Sequence, residues 1–232
     1  MRTVSGPFSE RPFFKHEEID QLSIDELQAV GLFPESPSPI RIERFIEQRF
    51  KLSPIYEELS DGVLGYTQFG QDGVQAIIVS KALSEDGTRV SEHRLSTTLA
   101  HEAGHGLLHT HLFALSAQIQ PLFNDDDVIP TKILCRKQGV LGPSARGHYD
   151  GRWWEYQANQ CMSALLLPRP LVIECMRVFV RIEGMMKTMV LPKERREQAV
   201  RYVAEVFEVN PIVARIRIAE LYPEGSEQQM TL

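Results

Sequence analysis

Cysteine is scarce in this chain: Cys135, Cys161 and Cys175 are the only three among 232 residues, an odd number with no repeating spacing. Such a set makes a poor disulfide framework and fits a reducing compartment. A long unbroken apolar run is also missing. The most apolar region, residues 161 to 182, is interrupted by Pro168, Arg169, Pro170, Glu174, Arg177 and Arg181, which excludes a span of the roughly 20 apolar residues a bilayer requires. The opening MRTVSGPFSERPFF holds no apolar stretch of signal-peptide length, so the expectation is a cytoplasmic protein without a membrane partner. Nor is there an excess of positive charge. A formal charge of -6 and a pI near 5.7 argue against a surface built throughout for polyanions. Internal repeats and low-complexity tracts are absent as well. What remains is an ordinary globular composition, 43% hydrophobic, sufficient for one sizeable core or a core with a small appendage.

The order of elements follows from periodicity and breakers. Ser23-Ile-Asp-Glu26 reads as a capping box opening a helix that Gly31 stops, and Pro34 to Pro39 reads as a linker or turn. Helical spacing returns from Ile40 to Phe50. The period then changes: residues 62–69 and 74–79 read as two strands joined by a turn at Gly70-Gln-Asp-Gly73, with Ile55 to Leu59 as a third. A helix is expected from about Ser91 to Phe113, then an irregular stretch to Gly151. Trp153 to Leu167 reads as a strong helix stopped by Pro168-Arg-Pro170, and two helical stretches follow at 171–189 and 193–221. This divides the chain into an N-terminal arm and helix (1–39), a core (40–190) and a C-terminal helical cap (191–232).

The segment TTLAHEAGHGLLHTHLF, Thr97 to Phe113, crowds imidazole onto an apolar helix. His101-Glu102-Ala-Gly-His105 fits H-E-x-x-H. Residues four apart on a helix differ by about 40° in azimuth and one turn in height, so both imidazoles converge on one ion. Glu102 falls beside the open position, where it can take a proton from a water held there. Leu95, Leu99, Ala103 and Leu107 form an apolar stripe and Ala100, Leu108 and Leu112 widen it, which predicts burial. A buried Glu beside two His is costly without a compensating cation.

A third ligand is needed. His111 stands six residues after His105, as in H-E-x-x-H-x-x-G-x-x-H, but Leu108 occupies the position where that pattern has its turning glycine. His109 faces the right side yet sits about 12 Å of rise beyond His101; it reads as a histidine that supports a ligand or caps the helix. Glu155, at the start of the 153–167 helix, is the better candidate. Ala158 allows close approach of two backbones, and Asn159 is placed to hydrogen-bond a ligating side chain.

His101-Glu-Ala-Gly-His105, then Glu155-Tyr-Gln-Ala158-Asn159, then Leu165-Leu-Leu-Pro168, resembles the ImmA/IrrE family of zinc metallopeptidases over roughly residues 40 to 170. The resemblance implies an α+β, zincin-like fold of the gluzincin type, a small antiparallel-containing sheet packed on the H-E-x-x-H helix, and additional C-terminal helices. It implies Zn²⁺ as cofactor, His101, His105 and Glu155 as ligands, and Glu102 as general base. Members of the family are typically cytoplasmic endopeptidases that cleave helix-turn-helix transcriptional repressors in stress, phage or antiphage-defence responses. The implied partner is such a repressor, with a nucleic-acid trigger as a further partner. This chain has Cys161-Met162 where the family commonly has Phe-Ala, a packing change that leaves the ligands intact.

Three features stand apart. Cys135, in the segment between the two motifs, can serve as an inhibitory metal ligand at the water position or as a half-buried structural cysteine. His148 and Tyr149 are candidate donors to the oxyanion formed on water attack. Residues 199–221 resemble a helix-turn-helix with its turn at Val209-Asn-Pro211, but from 193 to 221 six basic residues face five acidic ones, which favours a cap over a DNA reader. The alternative function is accordingly a DNA-binding regulator with a structural or sensory zinc site and no proteolysis.

Overall fold

Helix α4 (Arg89–Gln118) carries the histidine motif over 30 residues, about 45 Å at the usual rise. It is the axis of the fold in this computed structural model, which describes residues 13–70, 72–118, 132–136, 152–183 and 188–223. Before it come α1 (His16–Ala29), α2 (Ile42–Phe50), β1 (Ile55–Glu57), β2 (Val63–Gly70), β3 (Gly73–Ser80) and the short α3 (Lys81–Glu85). After it come β4 (Lys132–Arg136), α5 (Trp153–Leu166), α6 (Arg169–Met176), β5 (Arg181–Glu183), β6 (Thr188–Val190), α7 (Lys193–Val206) and α8 (Pro211–Leu221). Among the described residues the protein is α+β, with a mixed four-stranded sheet in the order β1-β3-β2-β4 and a separate β5-β6 hairpin.

The sheet packs on α4 through its two central strands, β2 and β3. Along β2, Gly65, Thr67 and Phe69 are buried while Tyr66, Gln68 and Gly70 are half-buried, the alternation expected of a strand with one face on a core. β2 pairs antiparallel with both β3 and β4, and β1 runs parallel to β3. The β2–β3 turn closes on Gly73 at φ 122°, a conformation L side chains rarely adopt.

On its other side α4 meets α5 across a narrow crossing. A Cβ placed on Gly104 would come within 3.0 Å of the Ala158 carbonyl oxygen and 3.1 Å of the Cys161 Cβ. The missing side chain therefore sets the spacing of the two helices that carry the polar cluster. One apolar core runs through the molecule, joining Leu27 of α1, Phe45 of α2, Ile77 of β3, Leu99 of α4, Leu165 of α5, and Val203 and Ile218 of α7 and α8. Arg217 is buried in that seam, donating to Asp20 of α1 and, at 3.1 Å, to the Leu167 carbonyl. Arg215 pairs with Glu197. Of the two arginines on α8, one therefore lies in the core and the other is exposed in an ion pair with α7.

Several expectations are corrected. Helix α1 begins at His16 rather than near Ser23; the Lys15 backbone N–H donates to Glu18 at 2.7 Å, and the Ser23 hydroxyl donates to the Ile19 carbonyl within the helix. The expected helix over 171–189 ends at Met176 and gives way to the β5-β6 hairpin. The segment expected to be irregular up to Gly151 contributes β4, so Cys135 lies in a strand, opposite Gly65 of β2. The turn expected at Val209-Asn-Pro211, by contrast, is present between α7 and α8, where the Asn210 side chain accepts from the Ile212 N–H at 2.9 Å and caps α8.

Candidate metal centre

One turn of α4 separates His101 from His105, and their Nε2 atoms face each other at 3.1 Å. The first turn of α5 delivers Glu155, whose Oε2 lies 3.2 Å from His101 Nε2 and Oε1 3.7 Å from His105 Nε2. The three ligand atoms lie within 4.8 Å of one another and all three residues are buried. This group can hold a metal ion.

Its hydrogen bonds test that fit. Asn159, one turn after Glu155 on α5, places its Oδ1 3.0 Å from His101 Nδ1. An amide oxygen only accepts, so Nδ1 carries the proton and Nε2 presents a lone pair. That lone pair faces a carboxylate in a buried site, an arrangement that is repulsive unless a cation or a proton sits between them. Two imidazoles and one carboxylate form a donor set that suits a divalent transition metal. Without a metal, burial opposes charge on His101, yet the hydrogen bond and charge of Glu155, with Glu102 and Asn159, raise its pKa above the ordinary value. Burial, together with the neighbouring His101 and His109, drives His105 well below it.

Glu102 is fully buried beside this group. The hydroxyl of Thr67, itself buried on the inward face of β2, lies 2.7 Å from Glu102 Oε2 and 3.0 Å from the Glu102 carbonyl oxygen. A single hydroxyl proton serves one of these at a time, and the carboxylate is the stronger acceptor. The sheet thus holds the carboxylate that the helix supplies.

A third histidine continues the row. His109 Nδ1 lies 2.9 Å from His105 Nδ1, and His109 Nε2 lies 3.1 Å from Gln157 Oε1. Burial holds its pKa down to about 3, so the ring is neutral at ordinary pH. It packs edge-on against Trp153 with 5.6 Å between centroids.

The structure therefore brings together His101, Glu102, His105, His109, Glu155 and Asn159. His111 is exposed and stands outside the group. Cys135 lies in β4 two residues beyond Ile133, the residue paired with Thr67, while His148 and Tyr149 lie outside the described residues. Sequence reasoning missed Thr67 and Gln157. The first is brought in by sheet register, and the second stands about 200° around α5 from Glu155, off the face that the ligand argument used.

Comparison with protein-family models finds no match, and comparison with curated proteins finds none. Among the described residues no helix is long and apolar enough to cross a membrane.

Proposed function

We propose that this chain is a zinc-dependent endopeptidase with a zincin-like fold of the gluzincin type, related to the ImmA/IrrE metallopeptidases that its motifs resemble. The observation that carries the reading is the convergence of His101, His105 and Glu155 within 4.8 Å, with Glu102 buried on the same helix as the two histidines. A purely structural site has no use for an extra carboxylate placed there.

A bound zinc ion supplies Lewis acidity to the scissile carbonyl and the attacking water. Glu102 takes a proton from that water and returns it to the leaving amine. Thr67 fixes the carboxylate through its hydroxyl, and Asn159 fixes the ring of His101. Burial lowers the local dielectric and strengthens each of these interactions. Among the described residues β4 ends the sheet on the side of β2, and an extended substrate segment docks there by strand addition. The substrate class is a helix-turn-helix repressor in the cytoplasm. The alternative of a DNA-binding regulator finds little support, because Arg217 is buried and Arg215 is paired.

The test mixes zinc-loaded wild type or Glu102→Gln with helix-turn-helix repressors encoded beside this gene, with and without DNA, and maps products by mass spectrometry. Cleavage by wild type and none by a Glu102→Gln protein that keeps its zinc is expected. Equal cleavage by both, or salt-sensitive DNA binding with no cleavage of any repressor, would overturn the assignment.

A further inference from the structure

The row of histidines on α4 extends one residue beyond the ligands. His101, His105 and His109 recur at every fourth position, and all three are fully buried. His109 lies too far along the helix to share the ion with His101, yet both its ring nitrogens are engaged within the protein.

Those contacts permit one assignment of protons. Gln157 Oε1 only accepts, so His109 Nε2 must carry a hydrogen and donate across the 3.1 Å contact. On the metal reading, on which this step rests, His105 turns Nε2 to the ion and carries its hydrogen on Nδ1. That nitrogen faces His109 Nδ1 at 2.9 Å, and two N–H groups cannot meet at that distance. His109 Nδ1 is therefore bare and accepts.

We propose that His109 is the positioning residue of the metal centre, accepting from His105 Nδ1–H and itself oriented by Gln157, so that the chain Gln157–His109–His105 holds the His105 lone pair on the ion. His101 is served the same way by Asn159. Among the described residues neither histidine ligand is backed by a carboxylate, one of the usual partners of ligating histidines. Both acceptors are neutral, so the imidazoles remain modest donors and the ion retains more of its Lewis acidity.

The experiment measures zinc affinity by competition with a chromophoric chelator, and the visible spectrum of the cobalt-loaded protein, for wild type, His101→Ala, His109→Leu, His109→Asn and Gln157→Leu. Leucine removes the acceptor. Asparagine places Oδ1 where Nδ1 was, but loses the ring that packs on Trp153. Zinc affinity is expected to fall about 10- to 100-fold in His109→Leu and less in Gln157→Leu. It should recover most of the way in His109→Asn, with the cobalt spectrum returning towards wild type. A merely structural His109 predicts that the two substitutions at 109 weaken binding alike, and that result overturns the relay. Wild-type affinity in both His109→Leu and Gln157→Leu overturns it too. If His109→Leu does not fold, the Gln157→Leu and His109→Asn comparison decides. Undiminished zinc binding by His101→Ala would instead overturn the metal centre itself.

Discussion

Thr67 and Glu102 come from elements 35 positions apart and meet through one hydroxyl. In Thr67→Val the shape is kept and the charge-assisted bond is lost, a change of about 1.5–3 kcal/mol. Repressor cleavage should therefore slow by about 10- to 100-fold, with zinc affinity unchanged within about twofold. A chelator titration beside the cleavage assay separates the two effects. Cys161 supplies a pH dependence at the same scale. Full burial pushes its thiol up to about 12 from an ordinary 9.0, so between those values the folded chain keeps a proton that the unfolded chain releases. The sign follows: stability declines as pH rises past 9, by up to about 1.4 kcal/mol per unit from this group. Thermal unfolding at pH 8 and pH 10 should show a steeper loss for wild type than for Cys161→Ala.

Helices α4 and α5 hold the ligands between them, and Gly104 sets their separation. In Gly104→Val the new atoms press on the backbone of Ala158 and the Cβ of Cys161, so the two helices must part. The expected outcome is a loss of about 1–3 kcal/mol in denaturant unfolding, with zinc affinity reduced because Glu155 withdraws from both histidines. Undiminished affinity would show that the crossing is not what positions the ligands. This is also the scale at which the sequence is most informative. H-E-x-x-H and the face bearing Glu155 and Asn159 are periodic within one helix each, so their azimuths can be computed from spacing alone. Thr67 and Gln157 escape that arithmetic because register and a helix crossing bring them in. The β5-β6 hairpin escapes for another reason. Its strands are three residues each, too short for a period of two to declare itself, and the apolar content around Val178 to Val190 reads equally well as helix. Ser23 resembles a cap in sequence but spends its hydroxyl on the preceding turn, inside a helix that starts at His16.

Over the whole molecule, two linkages tie site and fold together. The proposed zinc ligands sit on two helices joined otherwise by packing and by the His101–Asn159 and His109–Gln157 hydrogen bonds, so an ion bound only by the folded state stabilises the entire chain. Free zinc at about 1,000 times its Kd should add about 4 kcal/mol. Chelation should accordingly lower Tm in wild type and leave Glu155→Ala unaffected, as differential scanning calorimetry would reveal. The second linkage is Arg217, buried against Asp20. Arg217→Ala leaves that carboxylate with only the more distant Arg169, at 3.8 Å, and should destabilise by about 3–5 kcal/mol without altering zinc stoichiometry in the folded protein. The pair also bears on how the protein is made. Asp20 and Arg217 are separated by 197 positions, so at about 5–20 residues per second the first waits roughly ten to forty seconds on the ribosome for the second. A chain released short of α8 never closes that seam, and Asp20 meets its partner only once α8 has been made.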